Sequence, residues 1–175
     1  MTYLEAKDIL DSNQKIPYPE IKNLRKNVAY ANLLLDDMAG PAGELTATTQ
    51  YIYEHMNMQS KDLSKILKNI AIQEMMHLDT LGLLIKKLGK SPYYVSSKQV
   101  AWSSHNVKYD TGNLITTMNY NIKSEKIAIA GYEKGIQNTN HPDIRALLQR
   151  IILDEQNHIT IFTKIQEDAR KGIYS

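Results

Sequence analysis

Cysteine is absent from the 175-residue sequence. The chain therefore forms no disulfide bond and offers no thiolate ligand for zinc or for an iron–sulfur cluster. No apolar run approaches the roughly 20 residues that a membrane-spanning helix requires, and the first residues, MTYLEAKDILDSNQK, lack the apolar segment of a signal peptide. From these absences we expect a cytoplasmic protein that does not associate with a membrane.

An excess of charge is also missing, because the formal net charge is only +2. The lysines are scattered along the chain, whereas a nucleic-acid-binding protein typically carries a basic stripe. Composition therefore argues against a nucleic-acid partner. Hydrophobic residues make up 42% of the sequence, which is ordinary for a soluble domain with its own core.

Residues 1–23 are predicted to form a short helix over 2–10 followed by an extended leader, KIPYPEIK, in which each proline biases its predecessor away from the helical conformation. Apolar residues then recur at spacings of three and four from Leu24 to Met56, which predicts a long helix A over about 24–58. Pro41, within AGPAG, is expected to kink this helix or to begin a second segment.

Three further helices follow from periodicity and capping residues: helix B over about 61–88, helix C over about 111–138 and helix D over about 142–171. The segment between B and C, 89–110, has no helical period, and at roughly 70 Å of reach it is long enough to run the length of a bundle. We therefore predict an all-α, ferritin-like four-helix bundle over 24–172, in which one long B–C crossover leaves these two helices parallel.

Six residues with metal-binding side chains recur in the predicted helices: Glu44 in A, Glu74 and His77 in B, Glu125 in C, and Glu155 and His158 in D. Each member of the second half follows its counterpart in the first by 81 positions, an offset that also relates Tyr51 to Tyr132. The chain therefore reads as two similar helical hairpins. Each glutamate lies about 15 residues from the turn of its hairpin, or about 22 Å along a helix, so we expect the six side chains to meet at mid-bundle.

Four carboxylates in a helical core, with no lysine or arginine at neighbouring inward positions, would each cost several kcal/mol to bury in the charged form. Two divalent cations remove this cost. One glutamate from each of two helices and a Glu-x-x-His pair from each of the other two is a known ligand pattern for two metals. Carboxylates with a few imidazoles suit manganese or iron better than zinc, and sequence alone leaves the choice between these two open.

Four neighbouring residues are candidates for supporting roles. Gln73 and Asp154 each precede a glutamate of the set, and we expect each to accept the outer ring N–H of the histidine on the opposing helix; for Asp154, exposure to solvent is the alternative. Tyr51 and Tyr132 are expected to hydrogen-bond the carboxylates, although any buried tyrosine needs some partner.

The chain resembles the ferritin-like dimetal-carboxylate superfamily, and its local strings are most similar to the manganese catalase family and its spore-coat relatives. The similar strings are PYPEIK in the leader, AGPAGELTATTQYIY in helix A, AIAGYEK in helix C and HITIFTK in helix D. Rubrerythrin and bacterioferritin are more distant resemblances through the same six residues.

This resemblance implies a homo-oligomeric enzyme that converts hydrogen peroxide to water and dioxygen, and the likeness to coat proteins implies an association with spores. Glu155 would be a ligand or a proton relay, and we take it with Tyr51 and Tyr132 as the candidate catalytic residues. A rubrerythrin-type peroxidase would draw electrons through a cysteine-bound iron centre, for which this chain has no ligands, whereas a catalase needs no outside reductant. Two alternatives stay open: ferritin-like oxidation of ferrous iron by dioxygen, and a non-enzymatic coat protein whose metal stabilises the bundle.

Overall fold

The computed structural model describes residues 1–110 and 112–174, which contain six α-helices. Their bounds are Tyr3–Asp11 (α1), Val28–Ala39 (α2), Glu44–Asn57 (α3), Lys61–Lys87 (α4), Leu114–Gln137 (α5) and Pro142–Arg170 (α6). A short 3-10 turn, Ser104–Asn106, lies in the connection between α4 and α5. Within this described part of the chain, each helix is too short or too polar to cross a bilayer.

The helices pack as two antiparallel hairpins. α3 packs against α4 and α5 packs against α6, while α2 contacts α3, α4 and α5 and thereby joins the two hairpins. α1 lies across α4 and α6. The predicted all-α architecture is confirmed, with α2 and α3 together in the place of helix A, and α4, α5 and α6 in the places of B, C and D.

Helix A differs from the prediction in its first residue and in its continuity. It begins at Val28 rather than near Leu24, because the Asn27 side chain caps it by accepting a hydrogen bond from the backbone N–H of Tyr30 at 3.0 Å. It then stops at Ala39, and α3 begins only at Glu44. Pro41 therefore marks the start of a second helical segment, one of the two outcomes expected for it.

Helix C begins later than predicted. Its predicted first residue, Thr111, lies outside the described residues, and α5 begins at Leu114. The Asn113 side chain fixes this boundary by accepting a hydrogen bond from the backbone N–H of Thr116 at 3.0 Å. Such a cap satisfies one of the amide groups that the first turn of a helix leaves free.

Two apolar clusters make up the core, and the predicted metal-binding residues lie between them along the helices. On α4, Glu74 and His77 fall between Ala71 of one cluster and Leu81 of the other. On α6, Glu155 and His158 fall in the same way between Ile151 and Ile161. The bundle is therefore layered, with a polar level between two apolar ones.

The crossover between α4 and α5 is fastened to the two parts of helix A. The side-chain amide of Gln50 in α3 forms two hydrogen bonds with the backbone of Lys108. It donates to the carbonyl at 2.9 Å and accepts from the N–H at 2.7 Å. The indole N–H of Trp102 donates to the hydroxyl of Thr46 at 3.0 Å, and the Asp36 carboxylate of α2 accepts from Ser97. These bonds hold the crossover against the bundle along its length.

Candidate metal centre

The polar level of the bundle contains all six of the residues that the sequence repeat singles out. Their exposed fractions are 0–2%: Glu44, Glu74, His77, Glu125, Glu155 and His158. Glu44 is the first residue of α3, Glu125 lies in the interior of α5, and α4 and α6 each contribute one Glu-x-x-His pair. Spacing of three along a helix places both members of such a pair on one face.

His77 forms one half of this cluster. Its Nδ1 atom lies 3.1 Å from Oε2 of Glu74, 3.1 Å from Oε1 of Glu155 and 3.7 Å from Oε2 of Glu44. Oxygen and nitrogen atoms of these four side chains lie within 4.8 Å of one another, a separation at which one cation could contact them all.

His158 forms the other half with nearly the same geometry. Its Nδ1 atom lies 2.9 Å from Oε2 of Glu155, 3.0 Å from Oε1 of Glu74 and 3.6 Å from Oε1 of Glu125. These four side chains form a second group with metal-binding separations. Glu74 and Glu155 belong to both groups, and the centres of the two imidazole rings are 6.3 Å apart.

The donor set fits cations, because most of its carboxyl and imidazole groups have pKa values shifted toward their protonated forms. Burial, followed by the neighbouring carboxylates, raises the pKa of Glu125 to about 8 and the pKa of Glu44 well above its usual value. Burial lowers the pKa of both His77 and His158, but the surrounding glutamates outweigh it and leave both values well above the ordinary one. Divalent ions would supply the positive charge that these shifts favour at the site.

Unpartnered oxygen atoms point to the same conclusion. Oε1 of Glu44 accepts no hydrogen bond from any described residue, and the contacts of Oε1 of Glu74 and Glu155 with the histidines lack hydrogen-bond alignment. Buried carboxylate oxygens are normally satisfied, so three such atoms in one cluster favour ligands that are not protein atoms.

Both histidines turn their outer nitrogen towards the residue predicted to accept it. Nε2 of His158 lies 3.0 Å from Oε1 of Gln73, and Nε2 of His77 lies 3.3 Å from Oδ2 of Asp154. Asp154 is fully buried, so the alternative of a solvated surface carboxylate is wrong. These contacts leave Nδ1 of each ring as the atom that faces the glutamates.

Two further residues of this region were missed by the sequence reasoning. Arg150 is 5% exposed and its guanidinium lies 2.6 Å from Oδ2 of Asp154, so the expectation of no arginine at neighbouring inward positions is wrong. Tyr18, from the leader, places its hydroxyl 3.0 Å from Nε2 of His77 and 2.5 Å from Oδ2 of Asp154. The spacing of four between Arg150 and Asp154 was a readable signal of an ion pair; Tyr18 lies in a stretch without periodicity and had none.

The two tyrosines of the repeat behave differently. Tyr51 is buried and its hydroxyl donates to Oε1 of Glu125 at 2.5 Å. The hydroxyl of Tyr132 is equally buried but makes no hydrogen bond with the described residues, contrary to the expectation that it would bind a carboxylate. The two halves of the chain also differ in backbone here, because Glu44 is the first residue of α3 whereas Glu125 lies in the interior of α5.

A narrow cavity between α3 and α5 reaches the glutamates of these two helices. Small side chains dominate its lining, together with the two glutamates, Tyr51 and a few polar groups: Ala42, Glu44, Thr46, Ala47, Gln50, Tyr51, Tyr120, Ser124, Glu125 and Ala128. The centre of a water-sized molecule has about 10 Å³ in which to move, which is the room of about one water. The cavity therefore suits a molecule of only a few atoms.

Fold and site together define a class, the ferritin-like helical bundles with a candidate dimetal-carboxylate centre. Residues 39–166 match the family model described as rubrerythrin. Because this match covers most of the chain, the chain belongs to the rubrerythrin family.

The predicted likeness to manganese catalases is confirmed by individual relatives. The chain is 24% identical to a "probable manganese catalase" of Clostridium acetobutylicum, in an alignment that covers 82% of this chain and 72% of the relative. It is 23% identical to protein CotJC of Bacillus subtilis, in an alignment that covers 78% of this chain and 82% of that one. The crystal structure of KatB, a manganese catalase from Anabaena PCC7120, superposes with a TM-score of 0.81 over 89% of this chain and 78% of its own, at 24% identity. The ferritin-like fold is thereby confirmed.

Proposed function

We propose that this protein is a dimetal-carboxylate oxidoreductase that disproportionates hydrogen peroxide to water and dioxygen. The observation that carries the proposal is the pair of overlapping ligand groups, which share Glu74 and Glu155 in the buried polar level. Three carboxylates and one imidazole in each group suit manganese or iron. The names of the relatives favour manganese, and they favour catalase chemistry over iron storage or a purely structural role.

Each ligand has a distinct task in this proposal. Glu44 and His77 would hold one ion, and Glu125 and His158 would hold the other. Glu74 would serve both ions, and Glu155 would be either a second shared ligand or a proton relay, because each lies within both groups. Asp154 and Gln73 would orient the histidines from behind by accepting their outer ring N–H groups.

Two such ions, each changing by one electron, would give two electrons to one peroxide molecule and take two electrons back from another. One peroxide is reduced to water and a second is oxidised to dioxygen, so no outside reductant is needed. The two protons released by the oxidised molecule are the two that the reduced molecule takes up. A buried carboxyl group beside the reacting molecule can transfer these protons one at a time between the two half-reactions, which is the task of Glu155 where it acts as a relay rather than as a ligand.

The remaining residues of the site control access and orientation. Tyr51 fixes the Glu125 carboxylate through its 2.5 Å hydrogen bond, and both residues line the cavity between α3 and α5. The small side chains of that cavity would admit peroxide or dioxygen and exclude larger molecules. Assembly into a homo-oligomer, a cytoplasmic location and association with spores stay predictions.

The proposal is tested by metal analysis beside a peroxide-dependent oxygen-electrode trace, using protein purified without chelator. The wild-type protein is expected to carry two manganese or iron ions per chain and to evolve oxygen. Glu74→Gln should lose most of both ions and the activity, because Glu74 serves both groups. Glu44→Gln should weaken the binding of mainly one ion, because Glu44 belongs to only one of the two groups.

Glu133→Gln is the matched control, because Glu133 is an exposed glutamate of α5, and it should keep both ions and the full rate of oxygen evolution. Two bound ions without oxygen evolution would refute the catalase reaction while leaving the metal centre intact. A wild-type protein that binds no manganese or iron would refute the centre itself.

A further inference from the structure

The outer nitrogen atoms of the two histidines have different surroundings. Positions 73 and 154 are equivalent by the 81-residue offset of the repeat, yet one carries a glutamine and the other an aspartate. Behind His158, the acceptor is the neutral amide oxygen of Gln73 at 3.0 Å. Behind His77, the acceptors are a carboxylate oxygen of Asp154 at 3.3 Å and the hydroxyl of Tyr18 at 3.0 Å.

Tyr18 completes a chain of hydrogen bonds on the His77 side. Its hydroxyl donates to Oδ2 of Asp154 at 2.5 Å, so its oxygen lone pairs remain available to accept the ring N–H of His77. The ring is therefore held by two oxygen atoms, one of them anionic. Such acceptors fix the orientation of a histidine ligand and make it a stronger donor to a metal.

Arg150 holds Tyr18 in this place although the leader has no regular secondary structure. Its guanidinium lies 4.6 Å over the Tyr18 ring, and it donates to the backbone carbonyls of Ile16 at 2.6 Å and Asn13 at 3.1 Å. The Asn13 side chain in turn donates to the carbonyl of Leu153 on α6 at 2.9 Å. The leader is thereby bound to the helix that carries His158, with its tyrosine pointing at the other histidine.

Arg150 also pairs with Asp154, which tempers the negative charge of that carboxylate. The carboxylate is nevertheless the end of this ion pair that lies against the imidazole, since its Oδ2 atom is the one 3.3 Å from Nε2 of His77. The field at the ring is therefore more favourable to a metal-bound imidazole than the field of the amide behind His158.

We propose that Tyr18 is a positioning residue of the metal centre, through which the leader fixes His77, and that the His77 half consequently binds its ion more tightly than the His158 half. This inference rests on the proposed metal centre. It adds to the centre a residue from outside the bundle, and it predicts that the first metal ion binds on the His77 side.

The test is an anaerobic titration of the metal-free full chain with Mn²⁺, monitored by calorimetry and by electron paramagnetic resonance. The wild-type protein should bind two ions in steps that are further apart than the statistical ratio for identical sites. At one equivalent, the spectrum should be mainly that of isolated ions. In Tyr18→Phe, the tighter step should weaken roughly 10-fold or more, while the weaker step is unchanged.

Tyr30→Phe is the control, because it removes another tyrosine hydroxyl, one that is buried in an apolar cluster and donates to a single carbonyl, that of Gly135. It should leave both steps unchanged. The converse variant, Gln73→Glu, places a carboxylate behind His158 as well; it should tighten the weaker step and bring the two steps together.

Thermal unfolding of the metal-free variants separates positioning from folding. If Tyr18→Phe weakens both steps equally and lowers the unfolding temperature, Tyr18 is only a structural residue and the inference is overturned. The inference also fails if Tyr18→Phe titrates like the wild type, or if Gln73→Glu leaves the separation of the steps unchanged. A wild-type chain that takes up no Mn²⁺ instead contradicts the metal centre on which the inference rests.

Discussion

Glu54 is a buried carboxyl group outside the metal centre, and its cost to the fold depends on pH. It is fully buried in α3 and accepts hydrogen bonds from the amide groups of Gln50 at 2.8 Å and Asn121 at 2.7 Å. Burial raises its pKa from 4.5 to about 7, and the two amide donors offset only part of this shift. A carboxyl group in this state is accommodated more easily with its proton than without it.

Replacing Glu54 by glutamine is expected to flatten the pH dependence of stability between pH 5 and pH 8. Because the folded-state pKa lies above the unfolded value, the unfolded chain loses this proton first as pH rises. The carboxyl group therefore destabilises the fold increasingly from about pH 4.5 to about pH 7 and fully above that. The total effect is about 3 kcal/mol. Urea unfolding of the metal-free protein at both pH values measures it.

The glutamine side chain can form different hydrogen bonds from Glu54, but such a change alters the free energy of unfolding equally at both pH values. It therefore does not affect the comparison of how stability changes with pH. Glu133→Gln, in an exposed position of α5, should keep the wild-type slope. An equal slope in Glu54→Gln and the wild type would show that Glu54 is ionised in the folded protein throughout this range.

At the scale of single residues, the sequence was informative where the repeat constrained it. Six side chains at matching offsets on four helices were enough to place them at one level. Tyr18 was out of reach, because its contact with His77 depends on the path of a leader without periodicity. Arg150 was overlooked when no arginine was expected at the neighbouring inward positions, although its spacing of four from Asp154 suits the ion pair that they form.

Because helix A is broken, the two glutamates that are not part of a Glu-x-x-His pair, Glu44 and Glu125, lie at different positions within their helices. Glu44 occupies the first turn of α3, where the helix dipole favours a carboxylate, whereas Glu125 lies inside α5. The turn before Glu44 is tight: a side chain at Gly43 would come within 2.6 Å of the Asp37 carbonyl oxygen and 2.9 Å of the Gly40 backbone nitrogen. Only glycine fits there without a shift of the backbone.

Gly43→Ala is therefore expected to destabilise the protein by about 2–4 kcal/mol and to weaken metal binding through displacement of Glu44. Gly82→Ala is the contrasting variant. Gly82 lies within α4, and a side chain there would meet its nearest neighbours, Met38 and Pro92, at an ordinary 3.8 Å. Alanine should stabilise this helix by about 0.5–1 kcal/mol.

Chemical unfolding of the metal-free variants measures both changes, and metal titration measures the effect on Glu44. A neutral Gly43→Ala variant would mean that the turn between α2 and α3 can relax away from the geometry described above.

Among the elements, helices with strong periodicity and clear caps were predictable, and irregular segments were not. Leu24 continued the apolar period of helix A, but it packs against the core from outside any helix, and the Asn27 cap sets the true start. The path of the crossover depends on Gln50 and Trp102 meeting partners far along the chain. Such long-range hydrogen bonds leave no local pattern in a sequence.

For the molecule as a whole, the layered core predicts a metal-free state that stays folded. Apolar clusters lie on both sides of the polar level, so the helices keep most of their packing when the carboxylates hold protons instead of cations. Chelator-treated protein should retain its helical circular dichroism. Its unfolding temperature should rise with the logarithm of Mn²⁺ concentration once binding begins, because the ions bind the native state preferentially.

Glu74→Gln should lose most of this dependence on Mn²⁺ while keeping its helicity. Collapse of the helical signal on chelation would contradict the layered description, since it would mean that the metals, rather than the apolar clusters, hold the bundle together.

Joining the two hairpins in one chain has a consequence for what the centre can become. A dimer of identical hairpins obeys its twofold axis, so any change behind one histidine is copied behind the other. Here the copies are covalently fused, and positions 73 and 154 are free to differ, as they do. Among the described residues, moreover, the leader before the first copy reaches the site through Tyr18. Fusion thus allows the two halves of the centre to diverge independently, which strict symmetry forbids.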